Sequence, residues 1–101
     1  MSYSVLIVDD ELGIRRSLEG VLNDEGFKTY LASNGDEAIN IVSKEKPSVV
    51  LLDIWMPGLD GIETLKRIKN LNSQTPVIMI SGHATIATAI EATRLGASDF
   101  I

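Results

Sequence analysis

The sequence predicts an α/β domain with a parallel sheet and helices on both sides. Short apolar runs alternate along the chain with segments whose apolar residues recur at helical spacing. The runs Val5–Val8 and Val49–Leu52 are apolar throughout rather than alternating, which is typical of strands covered on both faces. Consecutive parallel strands must be joined by crossover connections, which are usually helices, so the repeated strand and helix pattern indicates βαβ units.

Five strands are predicted. The first four are the apolar runs Val5–Val8, Thr29–Ala32, Val49–Leu52 and Val77–Ile80, and a fifth begins around Ala97. In open parallel sheets, binding sites form beyond the carboxyl ends of the strands, where the strand order reverses. The residues that directly follow each run are therefore the first candidates for a functional site.

Four helices are predicted between these strands. In the first, apolar residues repeat every three or four positions from Ile14 to Leu22, and Gly26 marks its end. The other three share the same periodicity: Asp36 to Lys44, the segment from Ile62 to Ile68 with Asp60 as its N-cap, and Ala84 to Leu95, which Gly96 closes.

Composition limits the function classes. The chain has 101 residues, 45% of them hydrophobic, and a net charge of −5, which fits one globular domain and argues against a nucleic-acid face or an anionic membrane partner. The absence of cysteine excludes thiolate metal sites, disulfides and cysteine nucleophiles. The apolar runs are too short to span a bilayer and the first residues lack signal-peptide features, so a cytoplasmic domain is expected.

Acidic residues follow two of the predicted strands. Asp9 and Asp10 come after Val8, and Asp53 comes after Leu52, so these carboxylates should meet at one edge of the sheet. Like charges this close raise one another's pKa, and a hard cation such as Mg²⁺ would relieve the repulsion. The alternative is that the acids cap the helices that follow, which carries most weight for Asp9.

The same edge offers the parts of a phosphoryl-transfer site. An ionised aspartate such as Asp53 can attack phosphorus and form an aspartyl phosphate. Ser81 follows the run Val77–Ile80 and brings a hydroxyl to this edge, and Gly82 would let the backbone approach a bound group. Ser81 can equally serve as the N-cap of the next helix.

Several motifs together resemble the receiver domain of bacterial two-component response regulators, most closely those of the NtrC/NtrX type. They are "VLIVDDE", "VVLLDIWMPGLDGIETL", "PVIMISGH" and "GASDFI", in this order. The resemblance implies a flavodoxin-like (CheY-like) doubly wound parallel sheet in strand order 2-1-3-4-5. It also implies one receiver domain over residues 1–101 that is truncated before its last helix.

The resemblance assigns roles to the acids. Asp53 becomes the phosphoacceptor, and Mg²⁺ becomes the cofactor. The implied metal ligands are Asp9, Asp10, Asp53 and the backbone carbonyl of Trp55. Ser81 takes the position of the switch hydroxyl.

The resemblance also implies the wider signalling context. Phe100 falls at the position of the switch aromatic, which turns inward when the switch hydroxyl moves. A sensor histidine kinase would be the phosphoryl donor, and the output would be an ATPase and DNA-binding region that regulates transcription. The domain would catalyse only its own phosphorylation and slow dephosphorylation, without touching nucleic acid or membrane itself.

The sequence departs from the family pattern at its end. In the family, a lysine comes two positions beyond Ile101, followed by a proline and a fifth helix. Without that helix, an apolar strip of the sheet should stay uncovered, so we expect a homodimer, a segment swap or marginal stability.

Three alternatives to a phosphorylated receiver remain at this point. A pseudo-receiver that only binds partners or dimerises is compatible with the missing lysine. A haloacid-dehalogenase-type phosphatase would need a second acid where Trp55 stands, and a nucleotide-binding protein would need a glycine-rich phosphate loop.

Overall fold

A computed structural model describes residues 3–53, 61–72, 74–80, 96 and 99–100 of the chain. The strands are β1 (Ser4–Val8), β2 (Lys28–Ala32), β3 (Val49–Asp53), β4 (Val77–Ile80) and β5 (Asp99–Phe100). The helices in this part of the chain are α1 (Leu12–Asp24), α2 (Gly35–Glu45) and α3 (Gly61–Leu71). Each predicted element that lies within the described residues is present, with ends that differ by at most three residues and with β4 matching its predicted bounds.

The strands form one parallel sheet in the order β2-β1-β3-β4-β5. The predicted fold class and strand order are therefore confirmed. The chain runs from β1 outward to β2 and then returns to β3 on the other side of β1, so the strand order reverses between β1 and β3. This reversal opens a crevice at the carboxyl ends of those two strands, because the connections leave them in opposite directions.

The main core lies between the sheet and the helices α2 and α3. It is built from alternate residues of the central strands, such as Leu6, Val50 and Met79, together with Leu65 and Ile68 from α3. The strand side chains lie on one face of the pleated sheet, and the side chains from α3 belong to the same cluster, so all of them are fully buried. This layer holds β1 and β3 in fixed register.

The opposite face of the sheet is covered less completely. Leu51 and Ile78 are paired in register on this face and are only half-buried. The helix α1 has no fully buried residue, and Val21 is 62% exposed although it belongs to the apolar repeat that predicted the helix. Ile7, which is in register with Leu51 on this face, is fully buried, so the expectation of an uncovered apolar strip stays a prediction.

Helix α2 begins one residue earlier than predicted because Asn34 is its N-cap. The Asn34 side chain accepts a hydrogen bond from the backbone N–H of Glu37 at 2.9 Å. The Glu37 carboxylate in turn accepts bonds from the backbone N–H and the hydroxyl of Ser33, both at 2.6 Å. These bonds satisfy N–H groups at the helix start that would otherwise lack partners.

Two predicted features fall outside the described residues: the cap at Asp60 and the helix from Ala84 to Leu95. Among the described helices, none is long and apolar enough to cross a membrane. The cytoplasmic location stays a prediction from the sequence.

Candidate functional site

The pairing of β1 with β3 places Asp9 beside Asp53. Val8 is in register with Leu52, so the next residue of each strand path is an aspartate. Neighbouring strands lie about 4.8 Å apart, and residues opposite one another point to the same face. Asp9 is 3% exposed and Asp53 is 9% exposed, so both carboxylates lie at the bottom of the crevice. Asp53 is itself the last residue of β3, one position beyond the predicted end of this strand at Leu52.

Asp10 completes a group of three carboxylates. Asp9, Asp10 and Asp53 each offer one carboxylate oxygen, and these oxygens all lie within 4.8 Å of one another. Asp10 is exposed, whereas Asp9 is 3% and Asp53 9% exposed, so the group extends from the interior to the surface. We call these three residues the acid cluster.

Hydrogen bonds fix Asp9 on three sides. Its N–H donates to the carbonyl of Ala32 at 3.1 Å, which extends the pairing of β1 with β2. One carboxylate oxygen accepts the N–H of Glu11 at 2.9 Å, and the backbone carbonyl accepts a hydrogen bond from the Arg15 guanidinium at 2.6 Å. The capping alternative is not confirmed for Asp9, because Glu11 is the N-cap of α1 and the helix start has no side-chain cap bond. The bond from Glu11 uses one carboxylate oxygen of Asp9, and the carboxylate has a second oxygen that can contact a cation.

The electrostatics of Asp9 are those of a crowded acid. Burial, which is the largest effect, raises its pKa, and the charges of Asp10 and Glu11 raise it further. The hydrogen bond from the Glu11 N–H and the charge of Arg15 lower the pKa, but the net shift is upward. The ionised form of Asp9 is therefore disfavoured by desolvation and repulsion, which a cation would relieve.

The donor set fits a hard divalent cation. Mg²⁺ prefers carboxylate oxygens and waters, and it keeps open positions for phosphate oxygens. Two oxygens that both contact Mg²⁺ at about 2.1 Å are at most about 4.2 Å apart, so a pair at the 4.8 Å limit would have to close by about 0.6 Å or contact the ion through water.

The remaining predicted site residues are described only in part. Trp55 and Ser81 lie outside the described residues, although Ile80, which precedes Ser81, is in register with Asp53. Phe100 lies in β5, where its backbone is opposite Met79, and its side chain is not described. The roles assigned to these residues stay predictions.

Sequence reasoning missed Arg15. This residue lies in the second turn of α1, close to the helix N-terminus, where a positive charge is unfavourable for the helix itself. Its guanidinium instead lies against the backbone at the acid cluster. A basic residue near the start of a helix that follows an acidic strand end was the available signal.

The chain matches a known protein family over nearly its whole length. The family model for the response regulator receiver domain matches residues 5–101. The nitrogen assimilation regulatory protein NtrX of Azorhizobium caulinodans is 44% identical over 103 residues, covering 100% of this chain and 23% of that protein. Sporulation initiation phosphotransferase F of Bacillus subtilis is 45% identical over 97 residues, covering 96% of this chain and 78% of that protein.

Solved structures agree with the sequence matches. The crystal structure of the receiver domain of NtrX from Brucella abortus has a TM-score of 0.90 and 46% identity, covering 96% of this chain and 82% of that one. A response regulator from Burkholderia pseudomallei, crystallised with a phosphorylated aspartic acid, a calcium ion and citrate, has a TM-score of 0.93 and 25% identity, covering 98% of this chain and 58% of that one.

The extent of these matches differs between relatives. The chain spans about a fifth of the length of the NtrX-type proteins it matches, which are therefore much longer regulators. The receiver region is the part that they share with this chain. The acid cluster, the sheet order and the family match agree, and the chain belongs to the response regulator receiver domains of two-component phosphorylation signalling.

Proposed function

We propose that Asp53 accepts a phosphoryl group while Mg²⁺ is held by the acid cluster. The observation that supports this proposal most directly is the meeting of three carboxylate oxygens within 4.8 Å at the carboxyl edge of the sheet. One of these acids, Asp53, is a buried residue at the end of a central strand, so its direction is fixed by the sheet. The related receiver from Burkholderia pseudomallei carries a phosphorylated aspartic acid and a calcium ion.

The residues that would hold the metal are Asp9, Asp10 and Asp53, with the backbone carbonyl of Trp55 as a further predicted ligand. When bound, Mg²⁺ supplies positive charge that offsets the charge on the carboxylates and on the incoming phosphoryl oxygens. Asp9 and Asp53 form the buried part of this site, and exposed Asp10 lies on its solvent side.

The chemistry at Asp53 is a simple displacement. A carboxylate oxygen of Asp53 forms a bond to phosphorus as the phosphorus–nitrogen bond of a donor phosphohistidine breaks. The imidazole nitrogen keeps the bonding electron pair and takes up a proton from solvent. Phosphoryl transfer depends mainly on positioning and charge stabilisation, and a rigid strand end next to a cation provides both.

The consequences of phosphorylation belong to the same proposal. Ser81 would donate its hydroxyl to a phosphoryl oxygen, and the ring of Phe100 would turn inward as that hydroxyl moves, so that phosphorylation changes the populations of two conformations. The donor would be a sensor histidine kinase, and the receiver would control an ATPase and DNA-binding region of a longer transcription regulator in the cytoplasm. The domain would act as an enzyme only on itself, through its own phosphorylation and slow dephosphorylation.

The proposal is tested by intact mass measurement after incubation with acetyl phosphate and Mg²⁺. The wild-type chain should gain one phosphoryl group, and both EDTA and the Asp53→Ala substitution should prevent the gain. Asp24→Asn is a matched control, because it neutralises an exposed acid that is the last residue of α1 and not part of the acid cluster. If the folded wild-type chain gains no mass, the domain is instead a pseudo-receiver that only binds partners or dimerises.

A further inference from the structure

Arg15 places a positive charge beside the acid cluster without occupying its carboxylates. Its guanidinium Nη1 donates to the backbone carbonyl of Asp9 at 2.6 Å. Among the described residues, no ion pair joins Arg15 to a carboxylate. Arg15 therefore contacts the acid cluster through the backbone of Asp9 and forms no ion pair with its carboxylates.

The contacted carbonyl belongs to the peptide group that joins Asp9 to Asp10. A hydrogen bond to this carbonyl fixes the orientation of the peptide plane, because the plane is rigid. Asp9 is also held by its own N–H and its carboxylate. Asp10 has less support: it is exposed, and within the described part of the chain its carboxylate accepts no hydrogen bond. The bond from Arg15 is thus a side-chain contact that restrains the peptide plane from which the Asp10 backbone continues.

We infer that Arg15 is a positioning residue that orients the Asp10 carboxylate for Mg²⁺ binding. This inference rests on the proposed function, since it concerns the same metal site. Arg15 would act through the backbone and would touch neither the metal nor the phosphoryl group. The bond is short and charge-assisted, which makes it stronger than an ordinary hydrogen bond between neutral groups.

Positioning and charge predict opposite results when Arg15 is removed. If Arg15 acted only through its charge, its loss would strengthen Mg²⁺ binding, because one repelling cation would be gone. If Arg15 orients Asp10, its loss weakens binding, because Asp10 then samples directions away from the ion. Residues that orient metal ligands from the next shell typically contribute a factor of about ten or more in metal affinity.

The experiment measures Mg²⁺ affinity by isothermal titration calorimetry for wild type, Arg15→Ala and Arg15→Lys. Arg16→Ala is the matched control, since Arg16 is the neighbouring arginine on α1 and is exposed. Circular dichroism establishes that each variant is folded at the temperature used. If Arg15→Ala does not fold, Arg15→Gln replaces it, because glutamine keeps a helix-forming side chain that is too short to bridge to Asp9.

We expect Arg15→Ala to weaken Mg²⁺ binding about tenfold, Arg15→Lys to recover part of the affinity, and Arg16→Ala to change little. The rate of phosphorylation by acetyl phosphate should fall at low Mg²⁺ and return to within about twofold of wild type at saturating Mg²⁺, because only metal binding is impaired. Unchanged or tighter binding in Arg15→Ala, or equal weakening in Arg16→Ala, overturns the inference. If wild type itself binds no Mg²⁺, the proposed function fails. If wild type binds Mg²⁺ and Arg15→Ala binds it equally well, only the inference about Arg15 fails.

Discussion

Replacing Asp10 by asparagine should change two properties of the domain in opposite directions. In the absence of metal, the free energy of unfolding should rise, because one of three crowded negative charges is removed. In the presence of Mg²⁺, the stabilisation by the ion should largely disappear, because one of its ligands has become neutral. The raised pKa of Asp9 supports the first expectation, since the charge of Asp10 contributes to that shift.

The size of the first effect follows from the geometry. Two unit charges separated by 4.8 Å, the upper limit within the acid cluster, repel by about 0.9 kcal/mol in the dielectric of water and by about 3.5 kcal/mol at an effective dielectric of about 20. Asp10 is exposed, so solvent screens its charge and the lower end applies. We expect Asp10→Asn to stabilise the metal-free domain by about 1 kcal/mol, or about 4–8 °C in Tm.

The assay is urea unfolding followed by circular dichroism, in EDTA and in excess Mg²⁺. At a Mg²⁺ concentration of about 100 times its Kd, wild type should gain about 2.7 kcal/mol, and Asp10→Asn should gain much less. Asp24→Asn is the matched control, because it makes the same change at an exposed residue at the end of α1. It should keep the whole response to Mg²⁺.

Two results would refute this reasoning. Lower stability of Asp10→Asn in EDTA would mean that the Asp10 carboxylate stabilises the metal-free fold and is not in net repulsion. A full gain on adding Mg²⁺ to Asp10→Asn would mean that the ion binds elsewhere.

Other variants test the rest of the fold. Asn34→Ala should cost about 1 kcal/mol in urea unfolding because it removes the N-cap of α2, whereas Asn40→Ala on the exposed side of that helix should cost little. The hydrogen bonds from Ser33 lower the pKa of Glu37. The contribution of ionised Glu37 to folding stability is therefore fully present above the ordinary pKa of 4.5 and is lost as the pH falls through the lowered pKa. Glu37→Gln should lose less stability in acid than wild type does. Light scattering at micromolar concentration should show association of the domain through the apolar residues that α1 exposes, and Val21→Lys should reduce it; a monodisperse wild-type monomer would contradict this expectation.

The sequence was sufficient to predict where the acids meet. Two apolar runs each end in aspartate, and parallel strands bring their carboxyl ends to one edge, so the approach of Asp9 to Asp53 follows from topology alone. The distances could not be predicted, because they depend on the register of β1 against β3, and a shift of one residue would turn one aspartate to the other face.

Features that depend on the angle and surroundings of a helix were harder to predict. The repeat that includes Val21 identified α1 correctly, but its exposure depends on what lies opposite the helix. The predicted second helix began at Asp36, one residue after the observed start of α2, and the spacing from the Asn34 cap to Glu37 was the signal for the earlier start. The contact of Arg15 with the Asp9 carbonyl depends on how α1 leaves the sheet.

The central claim is that the acid cluster makes Asp53 a phosphoryl acceptor. The most direct measurement treats the domain with acetyl phosphate and Mg²⁺, reduces the acyl phosphate with borohydride, and locates the product by peptide mass spectrometry. We predict homoserine at position 53 in place of aspartate, with none formed when EDTA replaces Mg²⁺. Homoserine at another acidic position, or no homoserine at any position in folded protein, would contradict the claim.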